Sequence, residues 1–167
     1  MKRIYLLLIL ISVQAFPQNP SLKEIIELKK IENSKAKEYL TSNNWKILAD
    51  RYSDEFKFGD MRLVNQKENH DQKSALYINF YFDSNKIRQN RIEFQTFNKD
   101  KFNSYLAELK LSDFKYVSSN SDENQSIDIY KNELTTVEVK TLPYNHEKIL
   151  YTFYIIENSY VKPEYKF

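Results

Sequence analysis

The sequence predicts an α+β fold, built as a tandem repeat of a helix-plus-antiparallel-sheet unit with its helices packed on one face of the sheet. Three observations predict it. Apolar residues at helical spacing occur in two regions, and each region is followed by short runs of alternating apolar and polar residues. Turn-forming Asn, Asp and Ser clusters separate those runs. Landmark residues then recur in the same order in both halves of the chain.

The elements follow in order. Ser21 with Glu24 forms a capping-box pattern ahead of Leu22, Ile25, Ile26 and Leu28, which share one side of a helix. Asn33-Ser34 interrupts that pattern and caps a second short helix carrying Ala36, Tyr39 and Leu40, which Asn43-Asn44 ends. Trp45, Ile47 and Ala49 then alternate as a strand, and Phe56 and Phe58 continue up to Gly59-Asp60, read as a turn around the single glycine of the chain. Met61 and Leu63 resume beyond it. The segment ALYINFYF (75–82) puts Leu76, Ile78, Phe80 and Phe82 on one face and Tyr77, Asn79 and Tyr81 on the other. Residues 83–86 make a hairpin turn into a strand over 87–97.

A helix starts at Asn98, with Phe102, Tyr105, Leu106 and Leu109 in one apolar stripe. Ser112-Asp113 closes it. Strands follow at 114–118, at IDIYK and at LTTVEVKTL around an Asn132-Glu133 turn, and finally at KILYTFYII (148–156). This last run is apolar on both faces, so it belongs in the centre of a sheet, with helices or another sheet on its second face. The plan is α-α-β-β-β-β, then α-β-β-β-β. In the two halves Trp45-Lys46 matches Phe114-Lys115, Met61/Leu63 matches Val137/Val139, and Asn69-His70 matches Asn145-His146, with 87–97 as an extra strand of the first copy.

The first residues form a secretory signal: Lys2 and Arg3, an apolar run from Ile4 to Val13, then Val13-Gln14-Ala15 before Phe16-Pro17. Residues 1–18 are the leader, with cleavage near 15/16 or 18/19. Residues 19–167 form one domain of two repeats, about 21–97 and 98–157, and a tail, 158–167. The chain has no cysteine, so it is neither a lipoprotein nor disulfide-stapled. It is expected in the periplasm or secreted, without membrane insertion after the leader is removed. The leader takes two of the 25 basic residues and none of the 23 acidic ones, so the mature chain is formally neutral. That disfavours nucleic acid, which needs a basic field.

Enzyme signatures are missing. One glycine cannot build a phosphate-cradling loop, and neither a G-x-S-x-G elbow nor a thiol nucleophile exists. His70 and His146 sit in look-alike hairpin loops, and their likeness records duplication instead of a shared ion. The run 120–128 starts like a calcium loop, but Gln125 stands where the turn glycine belongs and Lys131 where the bidentate Glu belongs. No catalytic residue, metal ligand or cofactor is assigned.

The surplus is aromatic: 13 Tyr and 11 Phe. Tyr77, Asn79 and Tyr81, beside Arg88 and Arg91 on the next strand, form the candidate binding surface, since Tyr and Arg dominate protein-binding hot spots. Stacked tyrosines also suit a glycan. The duplicated plan resembles that of beta-lactamase-inhibitor-type proteins, which implies a concave sheet presented to a partner. The expected function is therefore an exported, non-catalytic module that binds a protein partner, in an inhibitor- or immunity-like role. A small periplasmic hydrolase with a carboxylate or histidine site, and an envelope-associated structural protein, are the alternatives.

Overall fold

Helix formation begins where the capping chemistry places it. Ser21 Oγ accepts the Glu24 amide at 3.2 Å, and the Glu24 carboxylate accepts the Ser21 amide at 2.7 Å, closing the box that starts α1 (Leu22–Leu28). The computed structural model of the protein describes residues 20–53, 58–65, 76–83, 89–145 and 148–160; the leader, His70, Arg88 and His146 lie outside them. Helix α2 (Asn33–Ser42) has Glu32 at its N-cap without a side-chain bond, so Asn33-Ser34 forms its first turn, not its cap. It stops at Asn44, whose φ of 65° is left-handed backbone that Asn tolerates better than most residues. Helix α3 (Lys99–Leu111) starts as the sequence predicts, with Asn98 Oδ1 accepting the amides of Asp100 and Lys101 at 2.9 and 3.0 Å.

Eight strands make one antiparallel sheet: β1 (Trp45–Ser53), β2 (Phe58–Asn65), β3 (Leu76–Asp83), β4 (Gln89–Thr96), β5 (Lys115–Ser121), β6 (Ser126–Lys131), β7 (Thr135–Asn145) and β8 (Lys148–Glu157). Their spatial order is β1-β2-β3-β4-β8-β7-β6-β5. The most apolar run, β8, is central, as its composition requires. All eight strands belong to one sheet, so no second sheet covers its far face among the described residues. The strand expected as an extra, β4, is the partner of β8 at the middle of the sheet. Gly59-Asp60 is not a turn: both residues lie inside β2, and Gly59 has no positive φ.

Register explains the core. Leu63, Ile78, Phe94, Phe153 and Val139 lie on one line across β2, β3, β4, β8 and β7, and Met61, Phe80, Ile92, Ile155 and Val137 lie on the next. All ten are buried, together with Leu22, Ile25 and Leu28 of α1, Ala36 and Leu40 of α2, and Tyr105 and Leu109 of α3. Aromatic packing locks the α3 contact. Tyr105 meets Phe94 edge-on with ring centres 4.6 Å apart, and Phe102 stacks on Tyr151 at 4.2 Å. Trp45, the first residue of β1, and Phe114, immediately before β5, are buried in the same cluster.

Both outer strands are bulged. The register shifts between Ile47 and Ala49 in β1, and between Tyr116 and Ser118 in β5. The bulge at Leu48 ends the alternation predicted through Ala49, moving that residue into register with Arg62.

The run 120–128 is a hairpin. Its ends belong to β5 and β6, and Asp122 Oδ1 accepts the amides of Asn124 and Gln125 at 2.7 and 2.9 Å. The carboxylate at the third position of the calcium-loop pattern is thus spent on its own turn. In sequence, His70 falls in the β2–β3 connection and His146 in the β7–β8 connection, at unlike steps of the strand order. The expectation that these loops are equivalent fails for that reason.

Candidate binding surface

Strand alternation sends every second residue to the face away from the core, and on the central strands most of those residues are polar or aromatic, Ile156 being aliphatic. Three lines of register cross it. One carries Arg51, Asp60, Tyr81, Arg91 and Ile156; the next Ala49, Arg62, Asn79, Glu93, Tyr154 and Glu138; the third Lys46, Val64, Tyr77, Gln95, Thr152 and Lys140.

At the middle sits Glu93, only 8% exposed although it belongs to this face. Its Oε2 accepts the Tyr81 hydroxyl at 2.8 Å, while Oε1 accepts the Gln95 amide and, at 3.5 Å, the Tyr154 hydroxyl. A buried carboxylate needs such donors to replace its lost water. The Arg91 guanidinium lies over the Tyr81 ring, 4.0 Å from its centre, and Lys140 Nζ lies 4.5 Å from the centre of the Tyr154 ring. Lys140 also reaches Glu138 at 3.4 Å. Arg91 Nε is buried and, among the described residues, has no hydrogen-bond partner.

Burial pushes the Tyr81 hydroxyl up to about 12, helped by its bond to Glu93 and that residue's charge, while Arg91 and Arg62 pull the other way. Burial, followed by the charge of Glu93, does the same to Tyr154, also to about 12. Both phenols are therefore neutral donors at physiological pH. Glu93 is surrounded by its own donors, so it anchors its neighbours; the groups facing outward are aromatic rings and a guanidinium.

The predicted residues are placed unequally. Tyr81 and Arg91 are directly cross-strand and in contact. The backbone puts Tyr77 opposite Gln95 and Asn79 opposite Glu93, on the same face as Tyr81; Arg88 lies outside the described residues. Glu93, Gln95, Tyr154 and Lys140 were not foreseen. The alternation Arg91-Glu93-Gln95 was a signal for the first two, but only the β4–β8 pairing brings Tyr154 to Glu93.

Among the described residues no group of three His, Cys, Asp or Glu side chains could hold a metal ion, and no helix is long and apolar enough to cross a membrane. On the helical side, a cleft of about 560 Å³ runs between α1 and the end of α3, lined by Ile26, Glu27, Glu108, Leu111 and Asp113 among others. Its carboxylates have structural duties. Glu108 accepts the Leu22 amide at 2.8 Å, Asp113 accepts the Asn132 side-chain amide at 3.0 Å, and Glu27 pairs with Lys30 at 2.7 Å.

No known family, curated protein or solved structure matches this chain.

Proposed function

We propose that this is an exported binding module that recognises a protein partner through the face of its sheet turned away from the core, without catalysing a reaction. The observation that carries the reading is the cluster of Tyr81, Arg91, Glu93 and Tyr154 across β3, β4 and β8. Tyr and Arg are the side chains that supply most interface energy, and here they are pre-ordered by a buried carboxylate, which lowers the entropy lost on binding. The leader read from the sequence supports export to the periplasm or beyond the cell. An inhibitor- or immunity-like role fits such a surface.

The same reading makes the fold a tandem repeat with its helices covering one face. The strand order supports it, since β1 to β4 run inward from one edge and β5 to β8 from the other. A helix precedes each set. Trp45 and Phe114 are buried at the two strand starts, and the residue skipped by each bulge, Leu48 or Val117, lies three positions beyond them. On this alignment β4 is the counterpart of β8.

Comparative capture tests the function. The processed protein and its Tyr81→Ser/Tyr154→Ser variant are immobilised, exposed to an envelope extract of the source cells, and the retained proteins are identified by mass spectrometry. A protein retained by the native face and lost from the folded variant is the expected result. Equal retention by both sinks the reading.

A further inference from the structure

We infer that the occupant of this face is an acidic protein segment, with one of its carboxylates seated on Arg91. The inference rests on the sheet-face reading above and adds the partner's chemistry.

Charge on the face is uneven although the mature chain is formally neutral. Its first line of register holds Arg51, Arg91, Lys131 and Lys115, and the next two add Arg62, Lys46 and Lys140. The carboxylates on the same lines are Asp60, Glu93 and Glu138. Each of these is already engaged within the protein: Asp60 by a two-pronged Arg51 contact at 2.7 and 3.0 Å, Glu138 by Lys140, and Glu93 by the tyrosines and Gln95. The imbalance is thus presented outward as positive charge.

Arg91 is the point of attachment. Its guanidinium is held flat by the Tyr81 ring, and its Nε is buried without a partner among the described residues, so the edge formed by its two terminal nitrogens is the one a carboxylate meets. A planar fork fixed on an aromatic face is the geometry that binds a carboxylate through two parallel hydrogen bonds. Interleaved Asp60, Glu93 and Glu138 oppose a uniform polyanion such as nucleic acid or an anionic lipid surface. They suit a chain whose carboxylates are spaced, with hydrogen-bond donors between them.

The test titrates the isotope-labelled, processed protein with three peptides of equal length, alternating Thr with Glu, Gln or Lys, and reads affinity and backbone amide shifts. The Glu peptide is expected to bind at least about tenfold tighter than the Gln peptide at low salt, to lose that advantage as the Debye length shrinks to about 3 Å near 1 M salt, and to shift amides of β3, β4 and β8. Arg91→Ala should lose about tenfold and Arg91→Lys most of that, because a point charge lacks the fork; urea midpoints read from Trp45 verify that both variants fold. If the Gln peptide binds equally well and shifts the same strands, the acidic partner is wrong while the sheet-face reading stands. Shifts confined to the α1–α3 cleft, or no binding of any of the three peptides, overturn both, and a Lys peptide that binds β3, β4 and β8 as tightly as the Glu peptide overturns the acidic partner alone. Tighter binding of an oligothymidine or of phosphatidylglycerol vesicles overturns the partner class.

Discussion

Removing the Tyr81 hydroxyl tests whether Glu93 is the anchor of the candidate surface. The Tyr81→Phe change keeps the ring under Arg91 and deletes one donor, 2.8 Å from Glu93 Oε2. A hydrogen bond to a charged group contributes about 1.5–3 kcal/mol, and partial solvent access reduces this to about 1–2 kcal/mol. The shift of Tyr81 sets a ceiling: a phenol pushed from 10.0 up to about 12 favours its protonated form by roughly 3 kcal/mol before solvent screening. Burial is the larger cause of that shift and solvent screens it, so the bond itself again comes to about 1–2 kcal/mol. Because the folded value is raised, this stability is fully present below pH 10 and is lost as pH rises through about 12. Urea unfolding followed by Trp45, the single tryptophan and a buried one, should show Tyr81→Phe destabilised by about 1.5 kcal/mol at pH 7 and less sensitive to pH above 10. With Glu93→Gln and the double variant, the coupling should be about 1 kcal/mol. A loss below about 0.5 kcal/mol, within the range of ordinary surface substitutions, together with zero coupling, would show that Glu93 does not organise the tyrosines.

Three further outcomes follow from the packing. Phe153→Ala, at a fully buried site between Phe94 and Phe102, should cost about 3–5 kcal/mol in the same urea assay, and a cost below 1 kcal/mol would mean the α3–β8 contact is not formed. Ser21→Ala should cost about 1 kcal/mol and raise amide exchange in α1, whereas Ser21→Asp should keep most of the stability. Lys29 is buried, donates to Thr135 Oγ1 at 3.0 Å, and has its ammonium pushed below 10.5 by burial, against the opposing charge of Glu157. The unfolded chain therefore holds that proton more tightly, so the native protein should gain stability relative to Lys29→Met as pH rises towards 10.5; a gap that moves the other way contradicts the burial argument.

The parts of the fold legible in the sequence were those set by local chemistry. The Ser21/Glu24 box, the Asn98 cap and the α3 stripe each depend on residues within two turns of one another, and each formed where expected. The central position of β8 was legible because its apolar content had to be paired on both edges. Gly59 misled because glycine marks a turn only when the backbone needs a positive φ, and here it sits inside β2. The histidine comparison misled because it aligned the β2–β3 connection with the β7–β8 connection on composition, and strand order is a long-range property. The candidate surface was half legible for the same reason. Tyr81 and Arg91 are linked by a hairpin, whereas Glu93 and Tyr154 meet only through pairing across 61 residues of chain.

The bulges join architecture to surface chemistry. Had β1 kept a strict alternation from Trp45 and Ile47, Ala49 and Arg51 would face the core, and an unpaired guanidinium there would carry a heavy desolvation cost. The register shift at Leu48 instead puts Asp50 opposite Met61, where it pairs with Lys37 of α2 at 2.6 Å, and sends Arg51 to the other face, where it meets Asp60. The shift in β5 at Val117 likewise ends the run that pairs Tyr116 with Tyr130, sending Ser118 to the Glu138 line. Both edge strands are thereby bent and polar, a form that resists edge-to-edge pairing with another sheet. Deleting Leu48 removes the one residue that the ladder skips, so it should keep Ala49 opposite Arg62 and Arg51 opposite Asp60 while straightening the edge and leaving β1 open to self-association in light scattering. If the deletion variant stays monomeric, the bulge is incidental to the protection of the edge.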